Sequence, residues 1–288
     1  AIASGTYCAG INVPTTNLTG SVTSTTFDWS NTNTAIGLTN LGTGNIPSYT
    51  AANSTASGIL GVITVTPSAN ACIGTPINYT VVVNPIPSVN MVPSATYCSG
   101  ATVPATVFAG SVTGTAFNWT NNNTSIGVAS SGSNTVPSFN ALNISSGPIS
   151  GVITVTPSAN SCVGSSTNFT ITVNPIPNVN SVPSATYCSG VSVPVTNLTG
   201  SVTSTTFDWS NTNTSIGLTN LGNGNIPSYT AANATTSGIS GVITVTPTAN
   251  ACVGSPINYM VVVNPIPNVS PVTSTAVCSG ANVSAVNF

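Results

Sequence analysis

Val62-Ile63-Thr64-Val65-Thr66 is β-branched at every position and runs into Pro67. Two heavy atoms on Cβ suit an extended backbone, and proline cannot donate to a strand ladder. The stretch therefore reads as a strand that stops at Pro67. It returns as Val152-Ile153-Thr154-Val155-Thr156 and as Val242-Ile243-Thr244-Val245-Thr246, each time after ninety residues. Upstream, Thr25-Thr26-Phe27-Asp28-Trp29-Ser30 alternates large apolar with small polar side chains, the period of a strand buried on one face. Downstream, Tyr79-Thr80-Val81-Val82-Val83 reads as the last strand, ended by Asn84-Pro85. Weaker strand signals lie at Thr6–Cys8, Val13–Leu18, Ile36–Leu38 and Ile46–Tyr49, and no segment carries helical periodicity. About seven short strands separated by turn signals predict an all-β sandwich, with Trp29 as its core anchor and Trp119 and Trp209 in the same role.

The ninety-residue step governs the whole chain. Cysteines fall at 8, 98, 188 and 278 and again at 72, 162 and 252, and Asn-Pro-Ile-Pro segments begin at Asn84, Asn174 and Asn264. The 288 residues thus hold three repeats, 1–87, 88–177 and 178–267, and the first strands of a fourth, 268–288, which points to a window on a longer array. Residues 17–53 and 197–233 differ only at Ala35/Ser215 and Thr43/Asn223, so repeats one and three are closer to each other than to repeat two.

Composition excludes most chemistry. The chain has no Lys, Arg or His, and its only acids, Asp28 and Asp208, give a net charge of −2. Nothing can neutralise phosphates, so nucleic acid is not an expected partner. There is no imidazole to serve as general base or metal ligand, no lysine for a Schiff base, and two isolated carboxylates do not fill a metal shell. No catalytic residue, cofactor or metal is expected. Asp28 recurs as Asp208 but is Asn118 in repeat two, which fits a solvated carboxylate. Hydrophobic residues make up 40% of the chain and the mean hydropathy is +0.37, enough to build cores. No apolar run reaches the ~20 residues that span a bilayer, and Ala1-Ile2-Ala3-Ser4-Gly5 does not read as a signal peptide. The triplets at Asn17, Asn53 and Asn143 match a glycosylation acceptor but are common by chance in so Asn- and Thr-rich a chain.

Two disulfide patterns fit the cysteines. Pairing inside repeats gives Cys8–Cys72, Cys98–Cys162 and Cys188–Cys252 and leaves Cys278; pairing across boundaries gives Cys72–Cys98, Cys162–Cys188 and Cys252–Cys278 and leaves Cys8. Cys72 precedes the last strand, so it lies at the pole opposite the chain's exit, too far from Cys98 for a bond that tolerates only ~7 Å between Cα atoms. If first and last strands run parallel, with Cys8 at the start of its strand, Cys8 meets Cys72, and the first pattern is expected. Such bonds place the protein in an oxidising, extracytoplasmic compartment. Pro85/Pro87, Pro175/Pro177 and Pro265/Pro267 mark the linkers as semi-rigid spacers, so that the repeats are expected to extend as a rod.

Tyr-Cys-Ser-Gly (97–100), Phe-Asn-Trp-Thr (117–120), Thr-Ser-Ile-Gly (124–127), Val-Pro-Ser-Phe (136–139), Ile-Thr-Val-Thr-Pro (153–157), Cys162-Val-Gly and Val-Asn-Pro-Ile-Pro (173–177) stand in fixed order. The pattern resembles the PKD-like repeats of large secreted surface adhesins of Bacteroidetes, such as the flavobacterial gliding-motility adhesin exported by the type IX system. The resemblance implies an immunoglobulin-like sandwich outside the cell, used for spacing, adhesion or filament building and not for catalysis.

The expected function is therefore a structural or adhesive repeat segment whose partners are neighbouring repeats of the same or identical chains. Edge strands without charge lack the usual guard against pairing between chains, which favours fibres or bundles. The alternative is a module for surface polysaccharide or ice, with Thr64/Thr66, Thr154/Thr156 and Thr244/Thr246 as its polar rows and Tyr49, Phe139 and Tyr229 as stacking platforms.

Overall fold

The β-branched stretch lies in the middle of an eleven-residue strand, Ile59–Ala69. The computed structural model describes residues 4–285; residues 1–3 and 286–288, the outer ends of the first repeat and of segment 268–288, lie outside them. In repeat one the strands are β1 (Gly5–Cys8), β2 (Asn12–Val13), β3 (Thr26–Asn31), β4 (Leu41–Thr43), β5 (Tyr49–Thr50), β6 (Ile59–Ala69), β7 (Cys72–Ile73) and β8 (Ile77–Asn84). The main sheet runs β1-β8-β6-β3-β4, with β7 folded back onto β6. Across the core a small second layer pairs β2 with β5 and adds the bridge Thr16↔Ile46. Alternation on β6 sends Ile63 and Val65 inward, where they meet Trp29, Val81, Val83, Val13 and Ile46. Thr64 and Thr66 face outward beside Ser30 and Asp28 of β3, so the threonine rows and the carboxylate belong to an ordinary solvated sheet face. Trp119 and Trp209 are buried in the corresponding cores of repeats two and three. The chain is all-β, with three sandwiches of about ninety residues. The first two lie in one compact body, 149–173 and the residues up to 143; the third lies in a second body made of 144–148 and the residues from 174 onward.

Three local readings change. Ile36–Leu38 is not a strand: Thr34–Ile36 is a 3₁₀ turn, with the Asn33 side chain accepting from the Ala35 amide and Gly37 closing the turn at φ 99°. A Cβ on Gly37 would sit 2.1 Å from the Thr50 carbonyl oxygen, so glycine is required twice over. The strand does not stop at Pro67 but continues to Ala69. Pro67 accepts from the Gly74 amide on the side where β8 has already ended, so its missing N–H leaves no ladder position unfilled. Segment 268–285 holds no strand among its described residues. In repeat one the equivalent strand, β1, finds its partner in β8, some seventy residues later.

Buried tyrosines give the fold an alkaline limit. Burial, then the neighbouring Tyr79 and Tyr7, pushes the Tyr49 phenol up to about 12; burial pushes Tyr259 up to about 12, against a hydrogen bond with Thr196. A raised folded-state value stabilises the protein fully below the unfolded value, ~10, and that contribution is lost as pH climbs toward 12. Stability should fall between pH 10 and about 12, with late tyrosinate absorbance appearing together with loss of β-sheet signal. Phenolate forming at pH 10 with the fold unchanged would contradict this burial.

Candidate functional site: the joint between repeats

β1 runs parallel to β8, and Cys8 stands at the end of its strand, opposite Asn84. This register overturns the pairing of Cys8 with Cys72. Eight residues of β8 at ~3.3 Å each separate the two poles of the sandwich, so Cys8 sits at the exit pole and Cys72 at the other. Cys8 is bonded to Cys162 of the next repeat, with 5.6 Å between Cα atoms and a sequence separation of 154. Pairing of Cys98 with Cys162 is excluded with it. Cys98 and Cys252 are also disulfide-bonded, whereas Cys72, Cys188 and Cys278 are free and exposed. Because Cys188 is free, Cys188–Cys252 does not form; because Cys72 is free, neither does the cross-boundary bond to Cys98. The staple thus skips from the first strand of one repeat to the last hairpin of its successor.

The hairpin is built for this contact. A two-residue turn, Asn160-Ser161, joins Ala159 to Cys162, with both turn residues at positive φ, 48° and 65°. This primed geometry matches the strand twist and aims the Asn160 carbonyl outward. The Asn84 side-chain amide donates to that carbonyl at 3.1 Å, and Asn174 donates to the Asn250 carbonyl at 2.9 Å in the second body. Asn84 and Asn174, both at the start of a linker, are buried.

The linkers are packed, not free. Pro85, Pro87, Pro175 and Pro177 are buried, whereas Pro267 is exposed and Pro265 only half-buried. After Pro87, the Asn90 amide donates to the Ala109 carbonyl and the Ser88 amide to the Ser111 hydroxyl. A Cβ on Gly164 would lie 1.8 Å from the Pro87 oxygen, and one on Gly254 1.9 Å from that of Pro177. Proline therefore supplies an extended strip, without donors to satisfy, that lies in a groove of the following repeat. Sequence reasoning missed this groove because its glycines and alanines look like turn residues. The recurrence of Gly74, Gly164 and Gly254 two residues after each hairpin cysteine was the available signal.

Other candidate sites dissolve. Tyr49, Tyr229 and Phe139 are partly buried and pack against the cores; the Tyr49 and Tyr229 hydroxyls are buried without a partner, which does not suit a sugar platform. Asn53 turns its amide inward to the Val83 and Ser57 carbonyls, and Asn143 donates to the Val173 carbonyl, so neither amide is presented to a glycosylating enzyme. Among the described residues no three His, Cys, Asp or Glu gather as a metal site, and no helix is long and apolar enough to cross a membrane.

No protein-family model matches the chain, and no curated protein matches it in sequence. Three immunoglobulin domains of titin, in an E-to-A variant, superpose with a TM-score of 0.51 at 12% identity, covering 92% of this chain and 96% of theirs. The complex of Dpr2 with DIP-Theta gives 0.40 at 6% identity, covering 91% and 97%. The insect immune protein hemolin gives 0.34 at 12% identity, covering 91% and 74%. The titin superposition, spanning nearly all of both chains, establishes the fold: this is a tandem array of immunoglobulin-like sandwiches.

Proposed function

We propose that the chain is a non-catalytic structural or adhesive segment of a long extracellular surface protein, of the kind formed by PKD-like repeats in Bacteroidetes. Its repeats meet near residues 87, 177 and 267, and a disulfide staples the first to the second. The observation that carries this reading is the Cys8–Cys162 bond. A bond inside a repeat would only stabilise that repeat. A bond that bridges two repeats routes load past the linker and past most of both cores. Disulfides belong to oxidising compartments, which supports a place outside the cytoplasm.

Stretching the protein from its ends tests the proposal. The oxidised chain keeps the stretch between the bonded cysteines, a sequence separation of 154, out of the load path. At roughly 3.3–3.6 Å per extended residue, the reduced protein should reach at least about 500 Å further. Equal final lengths with and without reductant would refute a load-bearing staple.

A further inference from the structure

Gly224 stands where repeat two has Asn134, and that difference opens a cleft. In repeat two the Asn134 side-chain oxygen accepts from the Phe117 amide at 3.0 Å. The Asn134 amide donates to the Phe117 carbonyl, and its carbonyl accepts from the Phe108 amide. The next residue, Thr135, takes the Trp119 indole N–H on its carbonyl and pairs with Val107. The edge of that sandwich is thereby closed. In repeat three Gly224 keeps the left-handed backbone, at φ 69°, and a Cβ there would meet nothing within 4 Å. Its amide still donates to the Phe207 carbonyl. Among the described residues, however, no side-chain oxygen reaches the Phe207 amide, and the buried Trp209 indole N–H has no partner. A cleft of about 670 Å³ lies here, between Phe207 and Asp208 on one side and Asn223, Gly224 and Asn225 on the other.

The lining is neutral and polar, with one charge at its rim. The chain's two carboxylates, Asp28 and Asp208, stand in the two repeats that have glycine at this place, Gly44 and Gly224, whereas repeat two combines Asn118 with Asn134. Asp208 is exposed, next to Asn223 across the ladder, and neither side chain is hydrogen-bonded among the described residues. The Thr205 and Thr206 hydroxyls, also in the lining, donate to the Val202 and Thr248 carbonyls and keep lone pairs with which to accept. Asn225 is already engaged, accepting from the Leu198 amide and donating to Asn197, so it frames the cleft. A ligand suited to this lining brings several hydroxyl donors and acceptors on one small frame, as a sugar does. The volume lies in the range of about 300–1,000 Å³ usual for small-molecule sites. An anionic sugar would meet Asp208 with no Lys or Arg to offset it. A calcium ion would find one carboxylate where about six to eight oxygens are needed.

We propose that this cleft of repeat three binds one neutral sugar unit of a polysaccharide. Asp208 and the two threonine hydroxyls accept from sugar hydroxyls, while the Asn223 side-chain amide and the Phe207 N–H donate. Repeat one has the same frame, with the Leu18 amide on Asn45, Asn45 on Asn17 and the Trp29 indole without a partner. Thr43 takes the place of Asn223 there, so a weaker copy of the site is expected. The proposal owes nothing to the disulfides and stands or falls apart from the stapled-array reading.

The test follows the backbone amide signals of the isotopically labelled full chain by NMR. Mannohexaose, maltohexaose, cellohexaose and a neutral galactan oligomer are titrated in turn, with an oligogalacturonate as the acidic comparison and calcium alone as a second. The Phe207 and Gly224 amide signals should shift saturably with at least one neutral sugar and stay still with the acidic one. Gly224→Asn and Asp208→Asn each bring in the residue that repeat two already carries at the same place, so the fold is kept. Each should weaken binding read at Phe207 by roughly tenfold, the loss of one or two good hydrogen bonds. No saturable shift with any of the four neutral sugars, shifts confined to other residues, unchanged binding in Gly224→Asn, tighter binding of the oligogalacturonate, or the same shifts from calcium alone would each overturn the proposal.

Discussion

Cyanogen bromide should cut the oxidised backbone after Met91 and Met260 and still leave residues 1–91 joined to 92–260. Met91 lies between the first and second sandwiches and is 93% exposed, and the chain contains only these two methionines. With Cys8 bonded to Cys162, the two large pieces separate only after reduction, while 261–288 is released at once. Rings closed within repeats would free 1–91 without any reductant. A Cys72–Cys98 bond would also hold the pieces together, so the digest is repeated on Cys72→Ser. The structure requires the joined product to persist, because Cys72 is free. The effect is all or none, and it needs no trypsin, for which the chain offers no Lys or Arg.

Replacing Asn121 by Ala should cost about 4 kcal/mol, from several buried backbone groups losing their partner together. Asn121 is buried at the end of its strand, and its side-chain amide donates to the carbonyls of Asn123, Val128 and Ala129. Its side-chain oxygen accepts from the Asn123 amide. One side chain thus holds the turn that leads into the 3₁₀ segment Thr124–Ile126 and seats Ile126 in the core. Asn31 and Asn211 likewise donate to the Asn33 and Leu38 carbonyls and to the Asn213 and Leu218 carbonyls, and accept from the Asn33 and Asn213 amides. Urea melts followed by Trp fluorescence measure the loss. Asn118→Asp is the control: the site is exposed, repeats one and three already carry Asp there, and a change within about 0.5 kcal/mol is expected. A cost for Asn121→Ala no larger than the control's would show that the turn holds without its amide.

What was legible in the sequence was whatever repeats with a strand's period. Val62–Thr66, Thr25–Ser30 and Tyr79–Val83 announced their strands because alternation and β-branching are local properties. The ninety-residue step gave the number of sandwiches in the same way. The cysteine pairing was not local. It turned on whether Cys8 begins or ends its strand, and four residues of Gly-Thr-Tyr-Cys say nothing about that until β8 lies beside them. Ile36–Leu38 misled because two large aliphatics around a glycine look extended; the deciding groups were the Asn33 cap and the positive φ of Gly37. The prolyl linkers were visible as stiff segments, but their burial depends on the shape of the following repeat, which no window along the chain encodes.

The parallel pairing of β1 with β8 also sets an order of events during synthesis. A first strand delivered early has no place in the sheet until its last strand arrives. Each sandwich therefore completes in one late step, and Cys8 must stay reduced while another 154 residues emerge before its partner exists. Oxidation that runs ahead of delivery would trap the thiol on a wrong neighbour. Correct pairing thus depends on disulfides reshuffling while the chain is still arriving, and the pace of delivery becomes part of the folding pathway.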